Sequence, residues 1–81
     1  MYTIRFSKQA LKARASMLPT IADRIDRELT APAAYRGDWK PLQGSPFWWL
    51  RVGGWRAICE IVDHHLIIFV LKIGPRGDVY K

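Results

Sequence analysis

The side chains with chemical use in this sequence are arginines set among aromatic rings. Arg51 and Arg56 stand on either side of Gly53-Gly54 in "FWWLRVGGWRAICEIV", and Phe47 and Trp49 precede Arg51 at two-residue spacing. Arg76 and Tyr80 follow in the closing "GPRGDVYK". A guanidinium grips phosphate through two parallel N–H donors, and a ring stacks on an unpaired base at roughly 1–3 kcal/mol. Strand alternation puts Phe47, Trp49 and Arg51 on one face and Arg56, Ile58 and Glu60 on the same side of the next strand. Arg76 and Tyr80 join that surface where the chain returns along the sheet end. The result is a basic patch interleaved with rings, suited to RNA. The plainer reading is the solvated side of a sheet. Cys59 is the only cysteine, which excludes an internal disulfide and a cysteine-based zinc site, and it reads as a small buried hydrophobe. His64 and His65 read as turn residues at the other end of a hairpin.

The elements that must position these residues are legible in outline. "YTIRF" alternates as a strand does. Ser7 offers an N-cap to "KQALKARASML", with Leu11, Ala15 and Leu18 at helical spacing, and Pro19 ends that helix. Thr20 caps a second helix, in which Ile21, Ile25 and Leu29 form an apolar stripe. Thr30 to Pro46 is rich in Pro, Gly and Ala and reads as a long surface loop pinned by Tyr35, Trp39 and Leu42. "FWWLRV", Gly53-Gly54 and "WRAICEIV" form a hairpin. A turn at Asp63-His64 leads to "HLIIFVLKI", apolar on both faces as a central strand is, and "DVYK" is a candidate short edge strand. The order predicts an α+β fold: an N-terminal strand, a two-helix hairpin, then a three- to four-stranded, mostly antiparallel sheet packed on the helices.

Composition limits the rest. Eighty-one residues make one domain, 1–81, and 49% hydrophobic content suits a packed core. The net charge is +6, from 13 basic and 7 acidic residues, and the basic residues are spread along the chain without a tail. That excess favours an anionic partner. "MYTIRFSKQ" has no apolar h-region and the longest apolar run, Leu66 to Leu71, is far short of a membrane span, so a cytoplasmic location is expected.

The segment "LRVGGWRAICEIVDHHLIIFVLKIGPRGDVYK" resembles the C-terminal half of the RelE/ParE toxin superfamily. There an L-R-x-G-x-[YW]-R core leads to an apolar strand and then to G-x-R and V-Y. "KPLQGSP" is similar to the K-x-L-x-G element before the family's second strand, and the match spans essentially the whole chain.

The resemblance implies the toxin of a type II toxin–antitoxin system, restrained by a cognate antitoxin protein. It also implies an endoribonuclease that cuts mRNA in the ribosomal A site, without metal or cofactor, by attack of a ribose 2′-OH on the adjacent phosphodiester. Carried over residue by residue, Arg56 corresponds to the arginine that stabilises the transition-state phosphate. Arg76 corresponds to the one that contacts phosphate and protonates the leaving oxygen, and Tyr80 to the tyrosine that stacks on a base or orients the phosphate. Arg51, Trp49, Lys40 and Lys81 are assigned to substrate binding, with Lys72 a further source of positive charge. Phe47 and Trp49 stand where the RelE pattern has a pair of lysines credited with the base role, and Pro75 precedes Arg76. The general base is therefore unassigned, and Glu60 would repel phosphate. The alternatives are a ParE-like inhibitor of DNA gyrase that cuts nothing, and a degenerate toxin that only binds antitoxin.

Overall fold

The structure is a computed structural model that describes residues 2–30 and 39–75. Five strands form one sheet in the order β1-β5-β4-β3-β2: β1 (Thr3–Phe6), β2 (Trp39–Pro41), β3 (Phe47–Val52), β4 (Trp55–Val62) and β5 (Ile67–Pro75). β1 runs parallel to β5 and every other neighbouring pair is antiparallel. Two helices, α1 (Lys8–Ser16) and α2 (Pro19–Thr30), connect β1 to the rest. The expected α+β architecture is present, with more strands than the sequence suggests. The additional one, β2, lies inside the stretch read as a loop. Three residues are too short for alternation to register, and Pro41 confines the strand to a sheet edge.

α1 starts where Ser7 accepts a hydrogen bond from the Ala10 amide at 3.0 Å. Its buried positions are Ala10 and, just beyond its end, Met17, while Leu11 is 53% and Leu18 70% exposed. The expected Leu11–Ala15–Leu18 stripe therefore faces solvent. Helical spacing fits two faces of this short helix, and the small Ala10 allows the closer approach to β5. α2 begins at Pro19, two residues earlier than a Thr20 cap implies, because proline's fixed φ and missing N–H suit a first helical turn. Ala22, Ile25 and Leu29 are its buried face. A two-pronged ion pair between Arg14 and Asp26 holds the helices together, and Arg14 also lies 5.8 Å from the Phe6 ring centre.

The core lies between helices and sheet. Leu50, Val52, Ala57, Cys59, Ile68, Val70 and Ile73 are each at most 2% exposed, and Trp39 from β2 joins them at 3%. Trp48 and Trp55 pack against this core while remaining partly exposed. The β3–β4 hairpin turns at Gly53-Gly54 between the paired Val52 and Trp55, with positive φ at Gly53 alone, as in a type II′ turn. The next connection is a 3-10 turn, Asp63–His65, closed by Leu66 in the left-handed region at φ 54°. The candidate strand at "DVYK" and Tyr35 lie outside the described residues, so β5 is followed here as far as Pro75.

Candidate nucleic-acid interface

Register settles which side chains share the face turned away from the helices. Arg51 pairs with Arg56, and Arg56 with Gly74. In the next row Lys40 pairs with Trp49, Trp49 with Ile58 and Ile58 with Lys72. A third row carries Phe47, Glu60, Phe69 and Arg5. Directly opposed residues point to the same side, with Cβ atoms about 4.5–5.5 Å apart. Every charged residue of the five strands is on this open face: Arg5, Lys40, Arg51, Arg56 and Lys72, against the single carboxylate of Glu60. Trp49 and Phe47 stand among them, half-buried. The structure thus brings together Arg51, Arg56 and Trp49, as expected from alternation, and Lys40, expected in a loop, joins them from β2. Arg76, Tyr80 and Lys81 lie outside the described residues.

Two features mark the Arg51–Arg56 pair. Like charges directly opposed across a strand pair repel each other. In addition, Nη1 of the half-buried Arg56 is itself buried and has no hydrogen-bond partner. A buried donor left unpaired costs about 1–3 kcal/mol, more for a charged group. An anion would supply the acceptor that Nη1 of Arg56 lacks.

Glu60 shares the face but lies four residues from Arg56 along β4, roughly 13 Å at strand rise. That removes it as a base for a phosphate held at Arg56. His64 and His65 sit in the turn at the far end of β4, as expected. Cys59 points into the core, where burial pushes its thiol up to about 12, so at neutral pH it is protonated and unsuited to nucleophilic work. The crevice between α2 and the β3–β4 hairpin, lined by Ile25, Leu50, Val52, Trp55, Arg56 and Ala57, is largely apolar and belongs to the core side of the sheet.

Sequence reading missed Arg5 and Gln9, and gave Ser7 only its capping role. Arg5 extends the basic face onto β1 through its pairing with Phe69. β1 pairs with β5 only as far as Val70, and past that point side chains take over. Ser7 Oγ donates to the Leu71 carbonyl at 2.7 Å. The Gln9 carboxamide then imitates a neighbouring strand: Nε2 donates to the Ile73 carbonyl at 2.9 Å, and Oε1 accepts from the Ile73 amide at 3.0 Å. These contacts fix β5 three residues before Arg76. A glutamine in the first turn of a helix carries no local signal for such a role.

Over residues 4–80 the chain matches the family model described as ParE toxin of type II toxin-antitoxin system, parDE. The chain belongs to this family, within the RelE/ParE superfamily. It is 26% identical over 86 residues to the mRNA interferase toxin RelE of Escherichia coli K12, covering 99% of this chain and 90% of that protein. The RelE–RelB complex of Pyrococcus horikoshii is similar in structure, with a TM-score of 0.75 and 25% identity over 95% of this chain and 97% of that one. The isolated E. coli RelE toxin gives 0.74 at 23% identity, over 99% and 92%, which is a likeness of fold.

Proposed function

We propose that the chain is a ribonuclease toxin that cuts mRNA on the ribosome and is held inactive by a RelB-type antitoxin. The observation that carries this reading is the opposed pair Arg51 and Arg56, with an unpartnered buried donor on Arg56 and Trp49 in the adjacent row. The pair suits a phosphodiester, and Trp49 suits the neighbouring base. The chemistry is attack of a ribose 2′-OH on the adjacent phosphorus, leaving a 2′,3′-cyclic phosphate and a free 5′-hydroxyl. Charge builds on the non-bridging oxygens as the bond forms, and arginines already in place stabilise it without reorganising. Arg76 supplies the second phosphate contact and Tyr80 the C-terminal ring, following the motif they match. The resemblance to RelE and to RelE–RelB complexes supports the partner class. The basic face gives an acidic antitoxin segment a surface to cover.

A second reading, a gyrase inhibitor without nuclease activity, is favoured by the family description and by Phe47 and Trp49, which cannot take a proton. Induction of the chain followed by primer extension on a translated message decides between the two. Codon-phased cleavage supports the ribonuclease. Intact message with altered plasmid supercoiling overturns it in favour of gyrase.

A further inference from the structure

Lys72 is the one charged residue in β5, the most apolar strand of the fold. The residue is partly buried there, and its direction is set by the backbone of the strand. Its placement depends on an irregularity. Cys59 pairs with Val70, but Ile58 pairs with Lys72, so Leu71 is an extra residue with no partner on β4. Without that residue, strict alternation from Ile68 and Val70 would point position 72 into the core and position 73 outward. The bulge reverses both: Ile73 is fully buried and Lys72 shares the open face with its partner Ile58. Ser7 on the Leu71 carbonyl and Gln9 on both polar backbone groups of Ile73 hold the bulge from the edge of β5 opposite β4.

Lys72 therefore ends the row Lys40–Trp49–Ile58–Lys72. It is also the diagonal neighbour of Arg56, since Arg56 faces Gly74, two residues farther along β5. Diagonal neighbours lie about 7–8 Å apart, within reach of long side chains, and Gly74 puts no side chain in the way. We propose that Lys72 is a phosphate-binding catalytic residue whose ammonium holds the same phosphodiester as Arg56, beside a base stacked on Trp49. This rests on the ribonuclease reading above. It gives the site a cation on β5 to complement the arginines of the β3–β4 hairpin, in partly desolvated surroundings where each charge acts more strongly than in water. The bulge is then the device that makes the strand both core and site.

The test uses wild type, Lys72→Met and Lys72→Arg, each checked by thermal melting. The probe is a 2′-O-methyl single-stranded RNA of about 12 nucleotides, bound over a range of KCl. Cleavage of a translated message on ribosomes is measured in parallel. Loss of one phosphate contact should lower the slope of log affinity against log salt by roughly 0.7 in Lys72→Met but not in Lys72→Arg. Message cleavage should slow about 100-fold in Lys72→Met. A lysine that only extends out of the sheet into water would leave slope and rate at wild-type values, and that result overturns the proposal while the ribonuclease reading stands. If Lys72→Met shows the predicted slope change but the wild type cleaves no message, the catalytic role is overturned together with the ribonuclease reading. A wild type that does not bind the probe ends the proposal outright. Should Lys72→Met fail to fold, Lys72→Gln carries the same measurements.

Discussion

If the proposed function holds, Arg51 and Arg56 are positions where function opposes stability. Their direct opposition costs a few tenths to about 1 kcal/mol, and the unpaired Nη1 of Arg56 adds to it. Arg56→Ala is therefore expected to leave the melting temperature unchanged or slightly higher, while message cleavage and growth arrest fall by about 100- to 1000-fold. Arg76→Ala should lose activity to a similar degree. If either variant is fully toxic on induction, the phosphate is bound elsewhere. Cys59 sets a different expectation, one of pH. Its thiol has an ordinary value of 9.0 and is pushed to about 12 by burial. Above pH 9 the unfolded chain gives up a proton that the folded chain keeps, so this contribution is whole below pH 9 and is lost as pH climbs toward 12. The slope is up to roughly 1.4 kcal/mol per pH unit. Denaturant unfolding at pH 8 and pH 10 should show the loss in wild type and a smaller one in Cys59→Ala.

At the scale of elements, β5 has two different neighbours along one edge. β1 supplies a backbone ladder as far as Val70, and the Ser7 and Gln9 side chains supply the contacts beyond it. Gln9→Ala should cost about 1–3 kcal/mol, because Ile73 would be left with unmatched polar groups in a half-closed site. Amide hydrogen exchange should quicken at Ile73 and hardly change at Ile68, on the β1 side. Equal protection at both would mean that the carboxamide contacts carry no weight. The ion pair between Arg14 and Asp26 is a weaker fastening. Each side chain is about a third exposed, so its contribution is at most about 1 kcal/mol although the Asp26 hydrogen bond raises the Arg14 pKa.

For the molecule as a whole, charge and size combine. The described residues span 31 × 27 × 24 Å and the chain carries a net +6. At about 0.01 M salt the screening length is roughly 30 Å, so the net positive excess repels itself across the whole molecule, and at 0.15 M it is roughly 8 Å. Raising salt between those limits should therefore stabilise the free toxin and weaken the RNA binding proposed for it, two effects of opposite sign from one charge excess. Melting curves and RNA titrations in the same buffers check this, and a melting temperature that falls with salt contradicts it. The same excess favours carboxylates in the antitoxin segment proposed to cover the open face.

The sequence by itself determined the hairpin of β3 and β4, the face on which Phe47, Trp49, Arg51 and Arg56 stand, and the pairing of helices with a mostly antiparallel sheet. Those features follow from period-two alternation and one Gly-Gly turn, both local. The family motif from Leu50 onward is likewise written in the order of residues. Only the tertiary structure decided that α1 buries Ala10 rather than Leu11, since spacing alone admits either helix face. It decided that Trp39–Pro41 is a strand, because three residues gain a ladder only beside β3. Above all it decided where Lys72 points, since one unopposed residue reverses every side chain after it. No count along the chain reveals which strand position has no partner until the partner strand is in place.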